Sequence, residues 1–256
     1  VEQGLSRVYP SFESYAHVVG YVGPVSDNDL KGSNETNPLL KIPRFQVGKV
    51  GIEKHYEDIL RGSAGVMKVE VNALGRVMRN LDRKEGKPGN NIQLTVDTEL
   101  QSYIQARLGS ESASAVVMNC KNGEILAIAS SPSYDPNKFV KGISYSDFNE
   151  LRDNEFRPLA SKTVQDAYPP GSTFKIVTAL AALEAKIIGP KDSFSCSGKM
   201  EISDRFFHCW KNIGHGTMDL TKSLSESCDV YFYELALKIG IERINKMATK
   251  LGLGIK

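Results

Sequence analysis

The sequence has no long apolar run and almost no excess of charge of either sign. Its 256 residues contain 32 Lys and Arg against 30 Asp and Glu, a formal net charge of +2. Such a balance gives no reason to expect nucleic acid or an anionic membrane surface as the main partner. No stretch of eighteen or more apolar residues occurs, so we expect no membrane span in this sequence. No signal peptide is visible after Val1 either.

Internal repeats and low-complexity tracts are also absent, which excludes solenoid and array architectures. Strand patterns come first and helical patterns follow, so the sequence predicts an α+β fold. The charged, Gly- and Pro-containing stretch Lys84–Asn90 marks the predicted boundary between a β-rich domain, residues 1–90, and a second domain, residues 91–256. The second domain is predicted to open with a strand over Ile92–Val96 and a hairpin around Lys121-Asn122-Gly123, because Asn-Gly favours tight turns.

The stretch Tyr168–Lys175 reads Y-P-P-G-S-T-F-K and precedes an apolar helical pattern. The apolar positions at helical spacing are Ile176, Val177, Leu180 and Leu183. They predict a helix with one buried face. Because Pro-Pro-Gly cannot continue a helix backwards, we expect this helix to start close to Ser172.

Ser172 and Lys175 are three residues apart and would lie on one face of that helix. This spacing suits a serine nucleophile activated by a lysine, since a hydroxyl is weak until a base takes its proton. Lysine can be that base only when neutral, a form that burial favours. Backbone N–H groups at the helix start could hold an oxyanion. The alternative is an ordinary N-cap serine and a solvated lysine.

A second candidate motif, Ser227-Cys228-Asp229, lies between two predicted helical pieces within Leu220–Leu237. On a tight turn, Ser227 could relay a proton between Lys175 and a leaving amine. Asp229 could accept a hydrogen bond from Lys175 or from a substrate amide. The alternative is that Ser227 and Asp229 only cap the second helical piece.

Together, Ser-x-x-Lys after Pro-Pro-Gly and a later Ser-x-Asp resemble the motifs of the penicillin-recognising serine transferases. The resemblance extends along the whole chain and is greatest to the class B penicillin-binding proteins. Further stretches that carry it are Arg7-Val8-Tyr9-Pro10, Gly20-Tyr21-Val22-Gly23, Gly51-Ile52-Glu53-Lys54, Gly123–Ala127, Ser131–Asn137, Cys209-Trp210 and Gly214-His215-Gly216.

The resemblance implies a β-rich pedestal, or dimerisation-type, domain followed by the N-terminal part of a transpeptidase domain of serine β-lactamase-like fold. It also implies a peptidoglycan D,D-transpeptidase of cell elongation. Ser172 would be the acylated nucleophile and Lys175 its general base, while Ser227 and Asp229 would form the second motif. Many relatives have Asn at the position of Asp229.

The implied substrates are D-Ala-D-Ala stem peptides, and β-lactams would be trapped as acyl-enzymes. The implied partners are a membrane-embedded glycan polymerase and an elongation scaffold that binds the pedestal, with no nucleic acid and no organic cofactor. The implied location is the periplasmic face of the cell inner membrane, with an anchor outside this sequence.

One departure from the family pattern is that the third motif, Lys-Ser/Thr-Gly, does not occur in these residues. In relatives that strand supplies an oxyanion donor, whose loss costs roughly a hundred- to a thousandfold in rate. We therefore expect this chain to be a fragment that does not turn over by itself. Two rival functions are a β-lactam-sensing or hydrolysing relative, which would not need residues 1–90, and a zinc-stabilised non-enzymatic interaction module.

The four cysteines are unevenly distributed, and the segment that holds three of them also contains His215. We call Cys196, Cys209, His215 and Cys228 the cysteine–histidine set. Three thiolates and an imidazole form a Cys3His zinc site. One disulfide among the three cysteines, or buried free thiols, are the alternatives, and His208 is an alternative ligand. We expect Cys120 to be a core thiol and Trp210 to serve packing.

Overall fold

The chain divides into two compact units, Val1–Asp166 and Ala167–Lys256. The structure, a computed structural model, describes residues 6–32, 38–42 and 45–254. The outermost residues of the two predicted domains therefore lie outside the described ranges. Both units mix helices with antiparallel strands, which confirms the α+β fold class. Across the described ranges, no helix has the length and apolar character needed to cross a membrane.

In its described part, the first unit consists of short elements and three antiparallel strand pairs. Its strands are β1 (Val22–Pro24), β2 (Gln46–Gly48), β3 (Val66–Val71), β4 (Val77–Lys84), β5 (Ala113–Met118) and β6 (Ile125–Ser131). Its helices are α1 (Ala16–Val19), α2 (Asp27–Gly32), α3 (Gly51–His55), α4 (Glu57–Arg61), α5 (Thr98–Leu108), α6 (Asn137–Val140) and α7 (Tyr145–Asp153), with 3-10 turns at Phe12–Tyr15 and Pro38–Lys41. In sequence order, neighbouring strands pair as β1–β2, β3–β4 and β5–β6.

Among its described residues, the second unit is built on four helices and two strand pairs. A 3-10 turn at Gly171–Phe174 leads into α8 (Lys175–Glu184), and α9 (Leu220–Ser225), α10 (Asp229–Ile239) and α11 (Ile241–Lys250) follow later. The strands are β7 (Ser193–Cys196), β8 (Lys199–Ile202), β9 (Arg205–His208) and β10 (Gly216–Asp219). β7 pairs with β10 and β8 with β9, so the β8–β9 hairpin is inserted between the two strands of the other pair.

The predicted hairpin is confirmed, since β5 and β6 pair on either side of the Asn-Gly turn. Gly123 has a φ of +79°, which glycine adopts without strain. The predicted strand over Ile92–Val96 is wrong. This segment runs beside β6 and makes two hydrogen bonds to it. The Thr95 hydroxyl donates to the Ile125 carbonyl at 2.7 Å, and the Asp97 N–H donates to the Leu126 carbonyl at 2.8 Å. Two such bonds do not make a strand ladder.

The helix after Ser172 forms, but its buried face differs from the predicted one. α8 packs against α10 and α11 through Val177, Thr178 and its alanines, which are buried. Ile176 is 56% exposed and Leu180 is 38% exposed. The small alanine side chains let the neighbouring helices approach closely, so the larger apolar residues lie on the other side. Helical periodicity located the helix correctly and placed Val177 and Leu183 at the core, but it was wrong for Ile176 and Leu180.

Along the chain, the two compact units meet at Asp166 and Ala167, well after the predicted domain boundary near residue 90. Gln101, fully buried on α5, explains why residues beyond that boundary belong to the first unit. Its Nε2 donates to the Ser14 carbonyl at 2.7 Å and to the Ile128 carbonyl at 2.9 Å. Its Oε1 accepts the Ile128 N–H at 2.8 Å. One amide thus joins the segment before α1 to strand β6. The boundary near residue 90 stays a prediction.

We predict that Gln101→Leu destabilises strand β6 by about 3 kcal/mol, because buried backbone groups left without partners cost roughly 1–3 kcal/mol each. The measurement is native-state hydrogen exchange of the β6 amides in the full-length protein. Gln105→Leu is the matched control, since Gln105 lies one turn further on and makes a single 3.3 Å bond to Ser130. Equal effects of the two substitutions would contradict the assigned role of Gln101.

His17 gives the first unit a predictable sensitivity to acid. Its Nε2 lies 2.8 Å from the Pro158 carbonyl and its ring packs edge-on against Tyr134. Burial lowers the pKa of His17, the Pro158 hydrogen bond opposes that shift, and the charge of Lys162 adds to it. A lowered pKa in the folded state means that the unfolded chain binds the proton first. The contribution of His17 to the stability of the folded protein is therefore fully present above its unfolded pKa of about 6.5, and it is lost as the pH falls below that value.

We expect His17→Gln, which keeps a donor for Pro158 but cannot titrate, to flatten the loss of stability between pH 7.5 and pH 5. The difference amounts to at most about 1.4 kcal/mol for each pH unit within the titration window. Thermal unfolding of the full-length protein and the variant across this range measures it. Parallel pH profiles of the two proteins would mean that His17 does not cause the acid sensitivity.

Candidate active site and cysteine–histidine set

Ser172 lies in the 3-10 turn that precedes α8, and Lys175 is the first residue of α8. Pro170 and Phe174 occupy the N-cap positions of the turn and of the helix, and neither makes a side-chain capping bond. Ser172 is therefore not the N-cap that the alternative interpretation required. Its hydroxyl faces the second motif instead, where Ser227 Oγ lies 2.8 Å from Ser172 Oγ.

The ammonium group of Lys175 is not solvated as the alternative interpretation required. Nζ donates to the Ser227 carbonyl at 2.7 Å and to Ser227 Oγ at 3.0 Å. It also forms an ion pair with Asp229 Oδ1 at 2.7 Å, in which the lysine side chain is 12% exposed. The Phe232 ring lies 5.7 Å away on another side. The structure thus brings all four predicted site residues together. We call Ser172, Lys175, Ser227 and Asp229 the serine–lysine network.

The network provides a continuous path for a proton from the Ser172 hydroxyl to the Lys175 amine. Ser227 Oγ lies between them, in hydrogen-bond contact with both. Hydroxyl hydrogens rotate, so the same heavy-atom positions allow Ser172 to donate to Ser227 while Ser227 donates to a neutral Nζ. This is the arrangement of a nucleophile activated by a base, with a second hydroxyl as relay.

The second motif lies on the sharp turn between α9 and α10, as predicted. Ser227 has a φ of +50°, a left-handed conformation that is unfavourable for residues other than glycine. The N-cap of α10 is Cys228, without a side-chain capping bond, so Ser227 and Asp229 do not serve as its caps. The second carboxylate oxygen of Asp229 accepts the backbone N–H of Trp210 at 3.1 Å.

The cysteine–histidine set comes together in the second unit, on β7, the segment from β9 to β10, and the start of α10. The four possible ligand atoms lie within 4.8 Å of one another, and the three cysteines are buried. His215 Nδ1 lies 3.4 Å from Cys209 Sγ and 3.7 Å from Cys196 Sγ. All three thiols are free, without a disulfide.

The donors of this set fit a zinc ion. Buried thiols and an imidazole converge with Nδ1 towards the sulfurs, and His215 Nε2 is buried without a hydrogen-bond partner among the described residues. Burial raises the pKa of the Cys209 thiol, but backbone N–H donors lower it more, so the net shift is downward. Burial, aided by the neighbouring sulfurs, raises the pKa of Cys228 to about 12. Three thiolates and one histidine match the ligand preference of Zn²⁺.

Two expectations about neighbouring candidates, His208 and Cys120, differ from what the structure shows. His208 is exposed on β9 and lies outside the set, so the alternative ligand is wrong. Cys120 is exposed, so the prediction of a core thiol there is wrong as well. Cys120 follows β5 at the hairpin turn, where the backbone leaves the sheet.

The set and the serine–lysine network share one loop. Cys228 stands between Ser227 and Asp229, and the Asp229 N–H donates to Cys209 Sγ at 3.4 Å. Trp210, next to Cys209, bonds Asp229 through its backbone and Glu226 through its indole. Sequence reasoning gave Trp210 a packing role only, because a backbone N–H leaves no signal in the sequence.

The fold and the site together define a class of protein, and comparison with known families agrees. The chain belongs to the class B penicillin-binding proteins: a model described as the penicillin-binding protein transpeptidase domain matches residues 113–256, and one described as the penicillin-binding protein dimerisation domain matches residues 1–94. The resemblance stated from the sequence is thereby confirmed.

Particular relatives are named peptidoglycan D,D-transpeptidase MrdA. The chain is 40% identical over 251 residues to that of Salmonella typhimurium, covering 97% of this chain and 40% of the relative. It is 39% identical over 251 residues to that of Escherichia coli K12, with the same coverage. The chain thus spans about two fifths of the length of these curated relatives.

Two solved structures extend the similarity to three dimensions. Pseudomonas aeruginosa PBP2 in complex with WCK 5153 has a TM-score of 0.84 and 35% identity, covering 98% of this chain and 51% of that one. A Helicobacter pylori complex between PBP2 and MreC gives a TM-score of 0.88 and 35% identity, covering 98% of this chain and 46% of that one. The pedestal and transpeptidase architecture is therefore confirmed.

Proposed function

We propose that the protein is a serine-type peptidoglycan D,D-transpeptidase of cell elongation. The observation that carries this proposal is the serine–lysine network, in which a serine on the turn before a helix lies one hydroxyl away from a partly buried lysine. The names of the relatives support it, since curated sequences at 40% and 39% identity are peptidoglycan D,D-transpeptidases.

In the proposed reaction, Ser172 Oγ attacks the carbonyl carbon of the bond between the last two D-alanines of a stem peptide. The hydroxyl proton passes through Ser227 to the neutral amine of Lys175. Collapse of the tetrahedral intermediate breaks the peptide bond, and Ser227 returns a proton to the departing D-Ala nitrogen. An amine of a second stem peptide then attacks the acyl ester, and Ser172 regains its proton.

Asp229 is given a positioning role in this scheme. Its two oxygens accept hydrogen bonds from Lys175 Nζ, which is a donor both as the amine and as the ammonium, and from the Trp210 N–H, so the carboxylate fixes where Nζ points. A β-lactam presents an amide carbonyl to the same hydroxyl. Opening of the ring leaves the amine tethered to the acyl group, where it cannot depart and make room for the acceptor.

The partners and location follow from the same proposal. An elongation scaffold is supported by the similarity to a Helicobacter pylori PBP2 whose solved structure is a complex with MreC. A membrane-embedded glycan polymerase would supply the glycan strands that carry the stem peptides. The site of action is the periplasmic face of the cell inner membrane, where those peptides lie.

We also propose that the cysteine–histidine set holds a structural zinc ion. Four buried or half-buried donor atoms within 4.8 Å, of a type that Zn²⁺ prefers, support this assignment. Bound zinc would link β7, the segment between β9 and β10, and Cys228, the residue that precedes α10. The loop that carries Ser227 and Asp229 would then be anchored by the coordination bond between zinc and the Cys228 thiolate.

Intact-mass spectrometry of the full-length protein after incubation with benzylpenicillin tests the enzymatic proposal. We expect one added penicillin mass on the wild-type protein and none on Ser172→Ala. An adduct that disappears within minutes would indicate a hydrolase instead of a transpeptidase. A folded wild-type protein without an adduct would contradict the proposal. The alternative of a non-enzymatic interaction module would then be favoured.

A further inference from the structure

Trp210 makes two directed hydrogen bonds to the turn that carries Ser227, one on each side of it. Its indole Nε1 donates to the Glu226 carbonyl at 2.9 Å. Its backbone N–H donates to Asp229 Oδ2 at 3.1 Å. The two acceptors flank the Ser227-Cys228 pair, so a single residue spans the whole turn between α9 and α10.

The residue held between these two bonds has an unfavourable backbone. Ser227 has a φ of +50°, and a residue with a Cβ adopts that conformation only when its surroundings enforce it. Two local bonds also close the turn: the Ser227 N–H to Leu224 at 3.3 Å and the Cys228 N–H to Ser223 at 2.9 Å. They form a Schellman motif at the end of α9, in which Ser227 is the left-handed residue. Neither bond uses the Glu226 carbonyl, which accepts from the Trp210 indole instead.

The indole of Trp210 is itself held in place, although it is 63% exposed. Its ring meets His215 edge-on, with 5.2 Å between ring centroids and an interplanar angle of 67°. Cys209, the preceding residue, is anchored through its N–H to the Gly198 carbonyl at 2.8 Å. An exposed tryptophan fixed by its neighbours on two sides has little freedom of its own, so it can impose geometry on the turn.

We propose that Trp210 is a positioning residue for the acylation step: by clamping Glu226 and Asp229 it fixes where the carbonyl and the hydroxyl of Ser227 point, within the turn that the Schellman motif forms. This inference deepens the proposed transpeptidase function and rests on it. Trp210 acts through Ser227 and Asp229, so its loss slows the proton transfer from Ser172 without weakening the initial binding of a β-lactam.

Trp210→Phe tests the clamp, because the ring facing His215 remains while the indole N–H is lost. Stopped-flow acylation of the full-length protein by nitrocefin separates the acylation rate constant from the initial dissociation constant. We expect the rate constant to fall roughly five- to tenfold, as for one lost hydrogen bond, with the dissociation constant unchanged within twofold. Phe206→Ala is the matched control, since this exposed aromatic of β9 contacts Lys199 and not the turn. It should leave both constants unchanged.

A second measurement keeps the clamp testable without catalysis. Hydrogen exchange of the amides of Ser227 and Cys228 should accelerate in Trp210→Phe and not in Phe206→Ala, with zinc content equal in all three proteins. Unchanged exchange in Trp210→Phe overturns the clamp, whether or not a penicillin adduct forms. A raised dissociation constant with an unchanged rate constant also overturns it, because Trp210 would then contact the substrate. Absence of any adduct on the wild-type protein counts against the transpeptidase and not against the clamp.

Discussion

Lys175→Met should slow the acylation of Ser172 by benzylpenicillin by at least a thousandfold in the full-length protein. Nζ contacts both the carbonyl and Oγ of Ser227, and Ser227 Oγ in turn contacts Ser172 Oγ. General-base assistance accounts for roughly a hundred- to ten-thousandfold in rate, and the loss of the ion pair with Asp229 adds disorder to the relay. Adduct formation followed by intact mass over time measures the rate.

Lys175→Arg separates the basic role of Lys175 from its charge. Arginine keeps a cation beside Asp229 but does not become neutral in a protein, so it cannot take the Ser172 proton. We expect Lys175→Arg to be nearly as slow as Lys175→Met. Lys199→Met, at an exposed lysine of β8 whose Nζ lies over the Phe206 ring, controls for the loss of a lysine as such. Substantial acylation of Lys175→Arg would contradict the general-base role of Lys175. Electrostatic positioning would then be the role that remains for its charge.

Cys228→Ser should remove bound zinc and lower the thermal midpoint of the second unit by roughly 10 °C or more. A serine hydroxyl is a poor ligand for zinc, and structural zinc sites contribute several kcal/mol to folding. A unit of this size loses about 4–8 °C for each kcal/mol. Metal analysis of the dialysed protein gives the zinc content, and calorimetry of the full-length protein gives the midpoint. Acylation should slow as well, because Cys228 lies between Ser227 and Asp229.

Cys120→Ser is the matched control, since Cys120 is the exposed cysteine outside the set. It should keep full zinc content and the wild-type midpoint. A chelator should destabilise the wild-type protein and have little effect on Cys228→Ser. If a reductant destabilises the wild-type protein and a chelator does not, the disulfide alternative holds. Unchanged zinc content and midpoint in Cys228→Ser would exclude Cys228 as a ligand.

Local features of the chain were predictable because their causes are local. Asn122-Gly123 set the β5–β6 hairpin through the φ of the glycine. The Pro-Pro-Gly sequence limited where α8 could begin, and the turn between α9 and α10 formed at Ser227 as expected. The side chains of the serine–lysine network and of the cysteine–histidine set were also predicted from the sequence, and the structure places the members of each close together.

Other features required contacts between residues far apart in the chain. The buried face of α8 depends on how closely α10 and α11 can approach its alanines. Helical periodicity in the sequence gives no information on that approach. Gln101 joins residues on both sides of the predicted domain boundary through backbone carbonyls, and carbonyls are present at every position. The sequence by itself determined which side chains have the chemistry of the proposed acyl transfer and of the proposed zinc site. The tertiary structure decided that Cys209 and Trp210 are hydrogen-bonded to the turn that carries Ser227, Cys228 and Asp229, because only folding brings the segment after β9 against the start of α10.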